Sequence, residues 1–301
     1  MAALEYQVRS LTAGASCILQ DVAFRLDGHD SLALVGESGS GKTMLAMSVL
    51  GLLPPNIRPE GLRIALDGTD LTALSRRARG RLLGRALVYI PQSGLDSLNP
   101  AQTVRRHFDE GCRRLGFPRR LWKARAEESL RLAGLDPALV APLYPFEISG
   151  GMAQKVILAL SASDQARLVI ADEPTNGLDA ASRGLYIEQL FSAFRNSLKI
   201  IITHDISLAR ACDRALILCG GTAVESGPAE QVFSDARHPY TRSLIRALPG
   251  PDMQSSPLLR EGASPCPFYR RCPSASSACL EPVPLQSSPD HREWRCVHAD
   301  G

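Results

Sequence analysis

A glycine-rich segment, Gly36-Glu37-Ser38-Gly39-Ser40-Gly41-Lys42-Thr43, joins an apolar run to a stretch without a helix breaker until Pro54. At this spacing, GxxxxGKT, the glycines let successive backbone N–H groups point inward, and the following helix adds the positive end of its dipole. The segment predicts a strand, a loop that binds nucleotide phosphates, and a helix. Lys42 would reach the β- and γ-phosphates, and the Thr43 hydroxyl would ligate Mg²⁺. The predicted nucleotide-binding residues are Gly36, Ser38, Gly39, Ser40, Gly41, Lys42, Thr43 and Met44.

The composition is that of an ordinary soluble protein. With 301 residues, 45% hydrophobic and 22% charged, the chain can form one substantial core and a smaller appended unit, and its net charge of +3 decides little. No charged and then apolar leader opens it, and no apolar stretch reaches the about 18 residues of a membrane span. A cytosolic location is therefore expected, and there the eight cysteines are not expected to form disulfides.

Three apolar runs end in polar residues, as strands of a parallel sheet do. They are 168–171 before Asp172-Glu173, 199–203 before His204-Asp205, and 215–219 before Gly220-Gly221. Helical segments connect them, and the short apolar runs in 4–35 and 62–68 predict an antiparallel sheet beside the nucleotide core. The predicted fold is α/β, with a parallel core sheet and an antiparallel β subdomain.

The polar residues after these strands predict the catalytic chemistry. Ligands gather at the carboxyl ends of parallel strands, so Gly36, Asp172 and His204 should converge on one crevice. Asp172 would hold Mg²⁺ through its water shell, and Glu173, pointing elsewhere, would orient and deprotonate the attacking water.

A basic region separates these two parts of the chain. Between about 93 and 147, arginines and one lysine are interleaved with leucines, which predicts a helical insertion. Its charges indicate either a solvated helix surface or contact with anionic lipid headgroups or a membrane partner. No recognised nucleic-acid module accompanies them, so no nucleic-acid partner is expected.

Four further segments resemble the motifs of ATP-binding cassette (ABC) proteins, a class of P-loop NTPases. Ile148-Ser149-Gly150-Gly151-Met152-Ala153-Gln154 is similar to the family's signature, and Gln92, after the run 87–90, to its Q-loop glutamine. Gly177-Leu178-Asp179 resembles the D-loop, and His204 the switch histidine that contacts the γ-phosphate. The resemblance covers residues 4 to about 250.

The resemblance implies a shared active site. In this family two cassettes meet head to tail, and each ATP lies between one chain's phosphate loop and the other chain's signature. It implies that Lys42, Gln92, Glu173 and His204 are catalytic, that Thr43, Gln92 and Asp172 serve Mg²⁺, and that Ser149, Gly150, Gly151, Met152 and Asp179 act at the cassette interface. One chain is then half of an ATPase.

Three other segments resemble importer cassettes for oligopeptides, dipeptides and nickel. They are Asp96-Ser97-Leu98-Asn99-Pro100, Leu143-Tyr144-Pro145-Phe146-Glu147 and His238-Pro239-Tyr240-Thr241-Arg242. The resemblance implies an ATPase subunit at the cytoplasmic face of the inner membrane, with a second cassette, two permeases and an extracytoplasmic solute-binding protein. The second cassette is expected to be a different chain, and an identical one is the alternative. The solute, peptide or nickel and metal chelates, is left open. The alternatives are a soluble ABC ATPase acting on ribosomes or DNA, and the ATPase of an exporter.

Two positions depart from the family pattern. The aromatic residue expected to stack on adenine, about 23 residues before Gly36, is Ala13, and Tyr6 lies too early in the sequence. The D-loop has Gly177 where the subfamily commonly has alanine, and glycine loosens the backbone.

A Pro-, Ser- and Cys-rich tail follows an ATP-binding domain predicted over 1–250, in which the helical subdomain covers about 93–150. The tail, 251–301, holds Cys266, Cys272, Cys279 and Cys296, whereas Cys17, Cys112, Cys212 and Cys219 are expected in the core. Structural zinc sites favour cysteines two to four residues apart, but these are separated by five, six and sixteen residues. A 4Fe–4S cluster is the expected cofactor, since a cubane accepts wider spacing, and peptide-importer cassettes resemble the chain here. Zn²⁺ and no metal are the alternatives.

Overall fold

The computed structural model describes residues 2–246 and 265–299. They form two compact units. The first consists of the chain up to Leu74 together with the chain from Ile201 onward, and the second is Ser75–Ile200.

An antiparallel sheet opens the first unit. Its strands are β1 (Ala3–Ala13), β2 (Ser16–Asp27), β4 (Ile57–Glu60), β5 (Arg63–Leu66) and β6 (Thr69–Asp70). Along β1, Leu4, Tyr6 and Val8 are buried while the residues between them are not, which is the alternation of a strand with one face on the core. β1 pairs with β2, β4 and β5, all antiparallel. The predicted antiparallel subdomain is confirmed.

The same unit contains the strand that leads into the glycine-rich loop. Further strands are β3 (Ser31–Val35), β10 (Arg214–Cys219), β11 (Thr222–Pro228), β12 (Gln286–Ser287) and β13 (Glu293–Trp294). β3 is buried over its whole length and runs parallel to β10, as expected for a strand covered on both faces. The strand order in this unit is β6-β5-β1-β2-β11-β10-β3, and β13 of the tail pairs with β11.

The helices of the first unit flank these strands. They are α1 (Lys42–Leu50), α8 (Ile206–Arg210), α9 (Ala229–Ser234) and α10 (Pro239–Arg246). In the tail, Tyr269–Arg271 and Ser277–Leu280 are single 3₁₀ turns.

The second unit combines parallel strands with the helical region. Its strands are β7 (Leu87–Ile90), β8 (Leu168–Asp172) and the first part of β9 (Leu198–Ile202), in the order β9-β8-β7, with β7 and β8 parallel. Its helices are α2 (Arg76–Leu82), α3 (Val104–Arg114), α4 (Trp122–Leu132), α5 (Pro137–Val140), α6 (Gly150–Ser161) and α7 (Ala180–Ala193).

Several basic side chains of the helical region pair with acidic residues of the same helix. Arg105 lies 2.9 Å from Asp109, and Arg131 lies 3.3 Å from Glu127. These pairs favour a solvated helix surface over a surface that presents its positive charge to lipid. Among the described helices, none combines the length and the apolar character needed to cross a membrane.

Candidate active site

The glycine-rich loop lies between the end of β3 and the start of α1, as predicted. Gly41, the N-cap of α1, has φ +97°, and a Cβ there would lie 2.5 Å from Leu19 Cδ2. Only glycine fits this left-handed, crowded position. The first N–H groups of a helix have no intrahelical acceptor, and the first turn of α1 has no acidic residue, so this end of α1 can bind an anion.

Lys42 holds the loop closed on itself. Its Nζ donates to the carbonyl oxygens of Gly36, at 2.7 Å, and Glu37, at 2.9 Å. Thr43, the predicted magnesium ligand, is exposed. The ammonium and the hydroxyl therefore sit at the helix end that can accept phosphate.

His204 belongs to the same unit as the loop. It directly follows Thr203, whose N–H donates to the carbonyl of Leu34 on β3 at 3.2 Å. Two residues beyond Leu34 the loop begins. The exposed His204 thus leaves its strand at the end where the phosphate loop starts.

Asp172 and Glu173 lie in the second unit, at the end of β8. Asp172 is buried and accepts a hydrogen bond from the Tyr89 hydroxyl at 3.3 Å. Burial, and then the charge of Asp172, raise the pKa of Tyr89, which therefore stays a neutral donor. Sequence reasoning placed Tyr89 only in a strand; its role depends on the parallel pairing of β7 with β8, which brings it to Asp172.

Glu173 has φ +47°, a left-handed backbone conformation that is rare for residues other than glycine. Its carbonyl accepts from the N–H of Asn176 at 3.0 Å, which closes a turn after β8. Such strained residues persist where the surrounding structure fixes them, and they concentrate at functional sites.

The predicted signature forms the N-terminus of α6. Ser149 is the N-cap, and its hydroxyl accepts from the Met152 N–H at 3.2 Å. Ser149 and Gly150 are exposed, so the positive end of this 12-residue helix is open to solvent. An exposed helix N-terminus can bind a phosphate presented by another molecule.

The Q-loop packs against this signature helix. Gln154 of α6 is buried, and its Nε2 donates to the backbone carbonyl of Gln92 at 2.9 Å. Gly94 approaches the helix so closely that a Cβ there would lie 2.9 Å from the Ala153 carbonyl carbon. The side chain of Gln92 itself is exposed. The loop and the signature helix are therefore in direct contact.

The D-loop ends in a helix cap. Asp179 is the N-cap of α7 and accepts from the N–H and the hydroxyl of Ser182, both at 2.9 Å. The bond from the Ser182 N–H lowers the pKa of Asp179. Gly177 has φ +75°, so this departure from the family pattern provides a left-handed turn.

Tyr6 is not available to stack on adenine. Its ring is buried and stacks on Phe24 at 5.0 Å between centroids, and its hydroxyl lies 3.0 Å from Ser48 Oγ. Burial raises the pKa of Tyr6 to about 12. Tyr6 is a core residue, and Ala13 ends β1 at the hairpin, as the register with Ser16 requires.

The four tail cysteines line one small cavity of about 10 Å³, together with His238. Burial, and the neighbouring thiols of the other three, raise the pKa of Cys296 to about 11. Within 2–246 and 265–299, however, no three His, Cys, Asp or Glu residues converge closely enough to hold one metal ion. That finding supports neither predicted metal, and the centre stays a prediction.

The remaining cysteines follow the prediction with one exception. Cys112, Cys212 and Cys219 are buried, whereas Cys17 is exposed beside the β1–β2 turn. The expectation of a core position was wrong for Cys17, because it lies where the strand leaves the core.

His238 and Tyr240 are both buried, and both form hydrogen bonds. They come from a segment to which sequence reasoning assigned no chemistry. His238 Nδ1 accepts from the Tyr240 N–H at 3.0 Å, and the Tyr240 hydroxyl accepts from the Glu37 N–H at 2.9 Å. Arg271 of the tail donates to both carboxylate oxygens of Glu37. No spacing in the sequence indicates the two contacts of Glu37, which join residues over 200 positions apart.

The predicted residues divide between the two units. The phosphate loop, His204 and the tail cysteines belong to the first, and Gln92, Ser149, Asp172, Glu173 and Asp179 to the second. Their convergence in one crevice remains a prediction.

Comparisons with known proteins identify the family of the chain. The sequence pattern of the family described as ABC transporter matches residues 19–176, and that of the oligopeptide/dipeptide transporter C-terminal region matches 224–279. The chain is 32% identical to a dipeptide transport ATP-binding protein, DppD, of Haemophilus influenzae, over 91% of this chain and 88% of that protein. It is 34% identical to a putative peptide import ATP-binding protein of Brucella abortus, over 92% and 88%.

Solved structures show the same fold. The ATP-binding cassette MJ0796, in a dimeric post-hydrolysis state with ADP and phosphate, is 21% identical with a TM-score of 0.66, covering 76% of this chain and 99% of that one. An ATP-binding subunit of an ABC transporter is 25% identical with a TM-score of 0.63, covering 77% and 92%. The chain belongs to the ABC transporter family and is an ATPase of that family, with the C-terminal region of its oligopeptide and dipeptide transporters.

Proposed function

We propose that this ATPase powers peptide uptake, as one of two different cassettes bound to two permeases and served by an extracytoplasmic solute-binding protein. The observation that carries this proposal is the similarity to DppD, which runs through the cassette and the tail. Peptides are the first candidate solute, and nickel or a metal chelate the second. Since selectivity resides in other subunits, the ligand retained by the purified binding protein decides between them.

Within the active site, Lys42 and the loop amides bind the phosphates, and His204 contacts the γ-phosphate. The carboxylate of Glu173 accepts a proton from the attacking water. Support comes from the open helix end at Lys42 and from the constrained backbone of Glu173.

Magnesium would be held by Thr43, Gln92 and Asp172. Oxygen ligands of this kind suit Mg²⁺, and the buried carboxylate of Asp172 accepts a hydrogen bond from the Tyr89 hydroxyl. When bound, the ion neutralises charge on the β- and γ-phosphates.

The second cassette would supply the other half of each ATP site. The signature residues lie at the N-terminus of α6, where Ser149 and Gly150 are exposed and Gly151 and Met152 are half-buried. Asp179 is the N-cap of the next helix, α7. We assign the four signature residues to the partner's γ-phosphate, because a capped, exposed helix N-terminus attracts anions, and Asp179 to the D-loop at the cassette interface.

The permeases would dock on an apolar surface of the second unit. Phe146 is 75% exposed and stacks on Tyr144 with ring centroids 5.4 Å apart, just before the signature helix. Exposed aromatic side chains of this kind mark protein interfaces. A permease bound here would be displaced when α6 moves.

Capture from membranes tests the partners. The tagged chain should recover two membrane permeases and a second cassette, and Phe146→Ser should lose the permeases. Leu132→Ser is the matched control, since Leu132 is 63% exposed in the same unit. Recovery with ribosomes or DNA alone would support the soluble alternative, and recovery with a membrane exporter the other. Either result would reject the importer.

For the tail, we propose a 4Fe–4S cluster with Cys266, Cys272, Cys279 and Cys296 as ligands. All four line one cavity, and His238, whose Nδ1 is occupied, has a buried Nε2 without a hydrogen-bond partner among the described residues. Such an orphaned donor fits a cavity that holds an acceptor, as cluster sulfurs are. The cluster would fold a tail that has few apolar residues.

Metal analysis after anaerobic purification tests this cofactor. About four iron and four sulfide per chain are expected, and the Cys272→Ser variant should lose them. Cys112→Ser, a buried cysteine of the helical region, is the control and should retain them. About one zinc without iron, or a metal-free chain with an intact tail fold, would reject the cluster.

A further inference from the structure

Glu37, the second residue of the phosphate loop, is the point where the tail and the ATP site meet. Its N–H donates to the Tyr240 hydroxyl at 2.9 Å, and its carboxylate accepts from Nη1 and Nη2 of Arg271, each at 2.7 Å. Its carbonyl accepts from Lys42 Nζ at 2.9 Å and from the Ser40 N–H at 3.1 Å. Every polar group of Glu37 therefore has a partner.

Arg271 reaches Glu37 from a supported position. It ends the 3₁₀ turn Tyr269–Arg271 and directly precedes Cys272, and its guanidinium lies 5.3 Å from the ring centroid of Phe268. Phe268 is buried and packs on Tyr240 at 5.3 Å between centroids. We call Tyr240, Phe268 and Arg271 the tail clamp.

The clamp also rests on the turn after β10. Pro267 lies so close to Gly220 that a Cβ on Gly220 would be 2.8 Å from the Pro267 Cβ. β10 is the parallel neighbour of β3, which leads into the phosphate loop. The residue before Phe268 thus packs on the turn after β10, and β10 is the neighbour of the strand that leads into the phosphate loop.

ATP binding should break some hydrogen bonds of Glu37 and leave others intact. A bound phosphate attracts the Lys42 ammonium more strongly than neutral carbonyls do, so Lys42 would leave Gly36 and Glu37 when ATP binds. The two bonds from Arg271 and the one to Tyr240 use the carboxylate and the N–H of Glu37, whereas Lys42 contacts its carbonyl. They would therefore persist when Lys42 moves to a phosphate, and would fix the start of the loop.

We propose that Arg271 is a positioning residue for ATP binding, which acts through Glu37 and makes nucleotide affinity depend on the tail. A planar guanidinium matches a carboxylate with two parallel bonds, and a lysine cannot reproduce this fork. The pair is partly exposed, at 30% for Arg271 and 46% for Glu37, so its contribution is moderate. The inference depends on the ATPase activity alone, and neither the transported solute nor the cluster enters it.

Equilibrium binding of Mg²⁺-ATP to the full chain tests it in a double-mutant cycle. Arg271→Met and Glu37→Gln should each weaken ATP binding about fivefold, and the double variant should be no weaker than either single one. Arg271→Lys should recover part of the loss. In the assembled ATPase, KM for ATP should rise while kcat stays within about twofold, because the lost contact acts before chemistry.

A second arginine fork supplies the matched control. Arg25, in the same unit, donates through Nε and Nη2 to Asp27 on β2, and neither residue belongs to the phosphate loop. Arg25→Met should leave ATP affinity unchanged. Unchanged affinity in Arg271→Met, or losses that multiply in the double variant, would overturn the proposal. Should Arg271→Met fail to fold, unchanged affinity in Glu37→Gln overturns it in the same way.

Discussion

Glu173 carries the hydrolytic step in the proposed mechanism, and its backbone is left-handed, with φ +47°. Glu173→Gln should leave ATP binding nearly unchanged and reduce turnover by a factor of about 10² or more, because it removes the base and leaves the phosphate contacts. Turnover is measured in the assembled transporter, and ATP affinity on the chain alone.

Glu188→Gln is the control for this change. Glu188 is an exposed glutamate of α7 in the same unit, and its loss should alter neither quantity. A Glu173→Gln variant that hydrolyses ATP at the unchanged rate would assign the base to another residue.

Individual residues could be predicted where their chemistry depends on near neighbours in sequence. Lys42 and Thr43 follow a glycine loop within a few positions, so one local pattern contains the predicted phosphate loop. Arg271 and Glu37 are 234 positions apart, and their pairing depends on how the tail packs. Tyr6 shows the opposite limit, since only its burial distinguishes a core aromatic from one that stacks on a base.

Helix α6 combines a structural cap with a proposed contact to the partner's ATP. Ser149→Ala should destabilise the second unit by about 1 kcal/mol through loss of the bond from Met152, and should also reduce turnover of the assembled ATPase at least tenfold. ATP affinity of the isolated chain should not change, since the phosphate loop belongs to the first unit.

Ser75 offers a cap of the same geometry without the proposed contact. Its hydroxyl accepts from the Ala78 N–H at 3.2 Å at the start of α2, in the same unit. Ser75→Ala should cost similar stability and leave turnover intact. Equal loss of turnover in both variants would make the effect of Ser149 purely structural.

The contact between the Q-loop and α6 depends on the absence of a side chain at Gly94. Gly94→Ala should force loop and helix apart and reduce the free energy of unfolding by about 1–3 kcal/mol, because a Cβ would meet backbone atoms of Ala153 and Gln154 at 2.9 Å. It should also reduce the stimulation of ATPase activity by permeases and solute. Thermal unfolding and reconstituted ATPase assays measure the two effects.

Gly111, in the interior of α3, is the control. A Cβ there has no heavy atom within 4 Å, so Gly111→Ala should stabilise the chain by about 0.5–1 kcal/mol. Full stimulation in a stable Gly94→Ala variant would show that the loop does not transmit the signal.

Elements were predictable in proportion to their length. β3 and β8 are buried over their whole length, and β1 alternates between buried and more exposed residues, so each is long enough to have a recognisable pattern. β12 and β13 have two residues each, which is too short for any pattern to register. They form because β13 finds a partner in β11, a contact set by tertiary packing.

Across the whole molecule, the tail is part of the ATPase fold in the described residues. Arg292, beside β13, is 4% exposed and donates to Glu225 of β11, whose side chain is fully buried, at 3.1 Å. The same carboxylate accepts from the N–H groups of Arg237 and His238, both at 2.9 Å. One buried charge pair therefore joins the tail, strand β11 and the segment that carries Tyr240.

Removing Arg292 should leave the Glu225 carboxylate buried without its countercharge. Arg292→Met is expected to lower the free energy of unfolding by about 3–5 kcal/mol, whereas Arg9→Met, which breaks a pair exposed at 74% and 63%, should change it by less than about 1 kcal/mol. Because Glu225 also holds the backbone before Tyr240, ATP affinity should fall in Arg292→Met at temperatures where the chain is still folded. Denaturant unfolding and ATP binding measure both, and a stability loss with unchanged affinity would show that the tail supports the fold without reaching the phosphate loop.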